Sequence, residues 1–219
     1  MTIRLLLLSA VVAVSLAACQ SAPAADKATT GETQQVAATA GQQLNIDTTS
    51  SVVTWIGTKP VGQHEGIFQL NDGVLTVENG ELKGGRFTID VASLNNKDLE
   101  GEWKTKLETH LKSADFFDVD KYPNATFTIT GVQPFDAQTQ TSLLPGATHI
   151  ISGNLQLKDS TKNISFPAQI TTEDNAVAAK ANFNIDRTQW GMSYGNDQSL
   201  KDNFIRPEVN IQLDIKATK

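Results

Sequence analysis

Residues 113–130 read SADFFDVDKYPNATFTIT. Phe116 and Phe117 stand side by side among aspartates, a Tyr122-Pro123 pair follows, and then Phe127 and Ile129 alternate with Thr126, Thr128 and Thr130. Alternation at a period of two marks a strand with one apolar face. The stretch is a junction: Asp115 and Asp118 face water, Phe116 and Phe117 turn inward, and Pro123 ends the connection before the strand begins.

Upstream of the junction, residues 98–112 (DLEGEWKTKLETHLK) place Leu99, Trp103, Leu107 and Leu111 four apart on one face. That spacing predicts an amphipathic helix, with Asn95 or Asn96 as its cap. Elsewhere the period is two. Nine strand windows follow: 43–49, 52–57, 67–77, 81–91, 125–132, 149–157, 163–171, 176–185 and 208–215, the first two readable as one long strand bent at 49–51. Asn71-Asp72-Gly73, Glu78-Asn79-Gly80 and Glu173-Asp174-Asn175 supply hairpin-type turns. The fold class is all-β, a hairpin meander with one helix against it, and closing it into a barrel removes exposed edges.

The chain has 219 residues, enough for one sizeable core. Residues 1–18 carry one charge, Arg4, then an apolar run, then small residues, the order of a secretory signal and too short to span a bilayer. Leu16-Ala17-Ala18-Cys19 looks like a bacterial lipoprotein box, with Cys19 as the lipidated first residue of the mature chain. Gln20 after it points to the outer membrane. Cys19 is the only cysteine, so no internal disulfide forms. Residues 19–42 are small and polar and predict a flexible tether; residues 43–219 form the folded domain. Without Arg4 the chain has 17 Lys and Arg against 24 acids, a net charge of −7. Such an acidic chain suits neither nucleic acid nor anionic headgroups.

His64, His110 and His149 have no metal-ligand spacing, and the run Asp115, Asp118, Asp120 lacks an EF-hand's glycine turn and closing glutamate. No Gly-x-Ser-x-Gly elbow is present. Nothing singles out two catalytic carboxylates, so the expectation is a binding protein, not an enzyme, with no metal and no required cofactor. The row Val177, Ala179, Ala181, Phe183, Ile185 contains two alanines, which either leave space in the barrel or meet a bulky residue such as Trp103. Both a cavity and a solid core stay open at this point, the latter suiting an envelope stress or interaction module.

Leu111-Lys112-Ser113-Ala114-Asp115-Phe116-Phe117-Asp118 followed by Tyr122-Pro123-Asn124-Ala125-Thr126-Phe127 resembles the signature of the YceI-like family of polyisoprenoid-binding, lipocalin-like proteins. Trp55 followed by His64 and Gly66-Ile67-Phe68, residues 153–159 (GNLQLKD) and residues 183–191 (FNIDRTQWG) agree in order and spacing. The long polar loop from Trp190 to Pro207 departs from the family pattern. The resemblance implies an extended eight-stranded antiparallel barrel with one helix, holding a polyisoprenoid, isoprenoid quinone or fatty-acyl chain. The inward rows then predict Trp55, Phe68, Phe87, Phe127, Ile129, Phe183 and Ile185 as lining, with Phe116 and Phe117 at a wall or the mouth and Trp190 beside them. Arg187 is a candidate for a ligand headgroup, an ion pair or a strand cap. The expected setting is the bacterial cell envelope, with a long-chain lipid and the membrane as partners, and a homodimer left open.

Overall fold

The alternating rows set the wall. In the computed structural model, which describes residues 21–219, eight long strands form it: β3 (Gln42–Ile46) continued by β4 (Val52–Lys59), then β5 (Gly62–Glu78), β6 (Glu81–Asn96), β7 (Asn124–Pro134), β8 (His149–Leu157), β9 (Ser160–Glu173), β10 (Ala176–Asp186) and β11 (Glu208–Thr218). Each pairs antiparallel with its neighbour in the chain, β11 pairs with β3 and β4, and β9 with β10, so the sheet closes into a barrel. Apolar residues of successive strands meet inside in one core. The signal segment 1–18 and Cys19 lie outside the described residues.

Asp47 bends β3 into β4. Its carboxylate accepts from Thr49 N at 2.9 Å, Thr49 Oγ1 at 2.6 Å and Ser50 Oγ at 2.6 Å, so the two pieces act as one bent strand paired to β5 and β11. Between β5 and β6, Asn79 and Gly80 both take positive φ, 54° and 78°, as a two-residue hairpin turn requires.

Asn71-Asp72-Gly73 is a correction. These residues stay inside β5, where the register against β6 shifts between Leu70 and Asp72. The polar side chains are used laterally, Asp72 accepting from Thr88 Oγ1 at 3.0 Å and Asn71 pairing with Asn124. A Cβ on Gly73 would lie 2.6 Å from Ile46 Cδ1, so glycine here admits close packing, and a bulge takes the place of a turn.

The helix, α1 (Gly101–Lys112), starts later than its periodicity suggests. Gly101 at φ 56° forces the entry, and Asn96 Oδ1 accepts from Leu99 N at 2.9 Å ahead of the helix instead of capping it. Trp103, expected against the barrel, is 71% exposed, so the alanines of β10 do not face it. After α1 the chain curls back: Phe117 N donates to Leu111 O at 3.1 Å and Val119 N to Lys112 O at 3.0 Å. Val91 N donates to Pro123 O at 2.9 Å, guiding the junction into β7.

The tether reading is corrected over part of its length. The β9–β10 pairing covers only Ala168↔Ala181 to Glu173↔Ala176, and beyond it the two strands part. Two short strands fill the opening. β1 (Asp26–Lys27) runs parallel to β10 with Asp26 opposite Phe183, and β2 (Thr29–Gly31) runs antiparallel to β9 with Thr29 opposite Ser165. Ala28 between them is buried, and its N–H donates to Asn184 O at 2.9 Å. Asp26 accepts from Ser142 Oγ at 2.7 Å and Leu143 N at 2.9 Å. Side-chain composition cannot show this, because unpaired backbone edges of β9 and β10 recruit the segment.

Candidate ligand-binding site

The barrel has two unlike halves. Around β3, the end of β5 and the start of β10, Leu44, Leu75, Leu82, Ala168, Val177 and Ala217 fill the interior. Toward the end where β4 turns into β5 and β10 ends, the interior opens into a cavity of about 700 Å³. Hollow and solid thus coexist, and Ala181 belongs to the packed core while Phe183 reaches the space.

Aromatic rings make the boundary between the halves. Phe166 and Phe183 stack with centroids 3.9 Å apart, Phe127 leans on Phe166 at 5.8 Å, and Phe87 on Phe127 at 5.4 Å. Gly153 on β8 makes this possible: a Cβ there would lie 2.2 Å from Phe127 Cζ. Gly66 does the same for Trp55, whose ring would meet a Cβ at 2.6 Å. The wall is completed by Val53 and Trp55, Phe68, Ile89, Leu155, Ile164, Ile185 and Ile211, one or more from each surrounding strand.

At the open end α1 contributes Leu107, His110 and Leu111, and the junction adds Phe116 and Phe117. Phe117 meets Phe68 edge-on at 5.4 Å, whereas Phe116 packs against His110 at 5.2 Å and Tyr194 at 5.5 Å. His64 Nδ1 pairs with Asp98 Oδ2 at 2.7 Å, and His110 Nε2 with Asp115 Oδ2 at 2.9 Å. Burial raises the Asp98 carboxyl, but hydrogen bonds from Glu65 N, His64 and Asn96 outweigh it and leave the acid below its ordinary value. Among the described residues, no three of His, Cys, Asp and Glu gather as metal ligands.

Arg187 is the buried cation of the site, 4% exposed. Among the described residues it neither forms an ion pair nor caps a strand. Its guanidinium donates to four backbone carbonyls: Arg206 O at 3.2 Å, Tyr194 O and Ile205 O at 2.9 Å each, and Met192 O. Burial pushes its pKa down, partly offset by Asp186. Arg187 thereby gathers residues 192–206 over the cavity, where its planar fork reaches several acceptors at once. Asp186 performs the capping, accepting from Thr188 N at 2.9 Å at the 3₁₀ turn Arg187–Trp190.

Of the residues expected to line the site, Trp55, Phe68, Phe87, Phe116, Phe117, Phe127, Phe183 and Ile185 border the cavity. Ile129 and Trp190 do not. Ile129 shares Phe127's face but lies one pleat further into the packed half, and Trp190 is laid across β8 by the 3₁₀ turn, donating Nε1–H to Leu155 O at 3.0 Å. The lining also takes residues that no alternating row announces: Met192, Tyr194, Leu200 and Ile205 of the loop after β10. Their signal was apolar residues scattered through a polar loop. Trp55 Nε1 and Thr58 Oγ1 are buried without a hydrogen-bond partner among the described residues.

An eight-stranded antiparallel barrel with an apolar cavity reached from one end defines a lipocalin-like class of protein. The YceI-like domain model matches residues 44–217, and the chain belongs to the YceI-like family. A UPF0312 protein of Pseudomonas putida strain W619 is 30% identical over 127 residues, covering 56% of this chain and 58% of that relative. A UPF0312 protein of Photorhabdus laumondii is 30% identical over 110 residues, covering 49% of each chain. The chain thus matches about half the length of these relatives. Among solved structures, BcnA of Burkholderia cenocepacia superposes with a TM-score of 0.61 at 20% identity, covering 79% of this chain and 99% of that one. A polyisoprenoid-binding domain from Saccharophagus degradans superposes with a TM-score of 0.55 at 14% identity, covering 80% and 97%. At these identities the two structures speak for the fold.

Proposed function

We propose that this protein is an envelope carrier that sequesters a long apolar amphiphile, a polyisoprenoid, isoprenoid quinone or fatty-acyl chain, inside its barrel without chemically changing it. The observation that carries the reading is the cavity of about 700 Å³ walled mainly by aliphatic and aromatic side chains. That volume falls in the range of small-molecule sites. The binding described for the Saccharophagus degradans domain points the same way. Affinity comes from burying the chain, at roughly 25 cal/mol per Å² of apolar surface, against the entropy of ordering a flexible ligand. A lipid on Cys19 holds the carrier at the outer membrane, facing the periplasm.

The test is native mass spectrometry, with lipid extraction, of protein purified from membranes. A co-purifying apolar mass that dissociates on denaturation is expected. A clean apoprotein that also ignores added isoprenoid quinone and fatty acid overturns the carrier. The anchor is tested separately: Cys19→Ser is expected to lose globomycin-sensitive processing, and processing unchanged by the substitution refutes lipidation.

A further inference from the structure

Large apolar side chains left in water cluster at the cavity mouth. Among the described residues six are substantially exposed, and four of these sit on elements that border the cavity: Val61 at 71%, Trp103 at 71%, Tyr194 at 46% and Leu200 at 43%. Singly, exposed apolar residues are ordinary. These four come from three separate elements. Val61 forms the turn between β4 and β5, next to Lys59, which borders the cavity; Tyr194 and Leu200 border the cavity themselves. Trp103 lies one turn before Leu107, between the angular positions of Leu107 and His110, so it continues α1's cavity-facing stripe past the wall.

We infer that this rim is a docking surface for a lipid bilayer, which sets the cavity mouth against the membrane interface. The inference rests on the carrier reading and adds where loading takes place. A ligand that prefers the barrel to water also prefers a bilayer to water, so a mouth in contact with the interface spares the chain an aqueous crossing. Trp and Tyr are suited to that depth, with an apolar ring and one polar handle.

The course of the N-terminal segment supports the same occupant. Pro23 O accepts from Asn184 Nδ2 at 3.1 Å, and the next residue along β10, Ile185, borders the cavity. Cys19 is four residues before Pro23, a reach of at most about 14 Å at roughly 3.5 Å per residue. An acyl chain on Cys19 is therefore held within that reach of the strand segment, Phe183 to Ile185, that walls the hollow half. The net charge of −7 that remains without Arg4 argues against attraction to anionic headgroups, so apolar contact is the driving term and zwitterionic lipid suffices.

Trp103 is its own probe. The chain has three tryptophans, and Trp55 and Trp190 are buried. The protein purified from membranes is reconstituted into phosphatidylcholine vesicles whose acyl chains carry bromine, and its fluorescence is followed against bilayer bromine and aqueous iodide. Docking predicts that Trp103 is quenched by bromine and shielded from iodide, at low and high salt alike, and that Trp103→Phe removes the bromine-sensitive part. Val61→Ser, which changes the rim and no cavity-bordering residue, is expected to weaken docking by about tenfold. Trp103 open to iodide and untouched by bromine overturns the docking surface, and so does a Val61→Ser protein quenched like the parent. Lipid extraction from the same preparation separates the two ideas: a filled cavity with an undocked mouth rejects the docking alone, and an empty one with a docked mouth rejects the carrier alone.

Discussion

Gly153 and Phe127 show how a single hydrogen can shape the cavity. The ring of Phe127 lies across β8 because Gly153 has no side chain, and a Cβ 2.2 Å from Cζ cannot be absorbed without moving the ring. Gly153→Ala is expected to lose about 1–3 kcal/mol by overpacking and to disturb Phe166 and Phe183 behind it, measured by urea unfolding and near-ultraviolet circular dichroism. Asp47 is a polar counterpart. Hydrogen bonds from the Ser50 and Thr49 hydroxyls, then from Thr49 N, hold its pKa down to about 2. A folded pKa below the unfolded one gives stability that is complete above roughly pH 4 and lost as pH falls toward 2. Asp47→Asn is expected to flatten the acid limb of a Tm-versus-pH profile in that window, leaving the profile near neutrality parallel to the parent's. Neither role is visible in the sequence, where Gly153 sits in the middle of one strand window and Asp47 near the end of another: a residue's pattern reports its face and says nothing of what stands opposite.

At the scale of elements, nine strand windows were legible because Val, Ile, Phe and Thr alternate at a strict period, and the hairpin at Asn79-Gly80 has the chemistry of its turn. Boundaries were less legible. β5 and β6 run for 17 and 16 residues, through glycines and an Asn-Asp-Gly that read as breaks but serve as bulges and close contacts. The N-terminal strands were illegible because a segment can be recruited by a neighbour's open backbone edge with almost no apolar residue of its own. Ala28 is the exception, and it makes the pairing testable. Ala28→Asp places a carboxylate in the core and is expected to release residues 21–34 from the wall. Limited proteolysis then cuts this segment at least about tenfold faster, while the barrel from β3 onward stays resistant. Equal protection in the variant would show that the edge pairing alone holds the segment.

For the whole molecule, the division of the barrel into packed and hollow halves sets what each substitution does. Leu44 is embedded in the packed half, so Leu44→Ala is expected to lose about 2–5 kcal/mol. Ile211 already borders open space, so Ile211→Ala should cost the lipid-free protein clearly less, since fewer contacts vanish, yet should reduce the rise in Tm that added lipid produces. Denaturant unfolding of delipidated protein and thermal melts with ligand read the two separately. The sequence showed which side of each strand faces inward. Height along the barrel axis stayed hidden, because periodicity repeats identically from one end to the other; Phe127 and Ile129 share a face and fall in different halves.

The seam between β9 and β10 adds a mechanical property. The piece of chain that completes the wall is also the piece leading back toward Cys19, so tension applied at the N-terminal end loads the pairing of β1 with β10 and of β2 with β9 before it travels along the chain to β3. A pull on that end therefore tests the seam first. Leash and stave are one stretch of polypeptide, and the load path of the molecule runs beside its cavity.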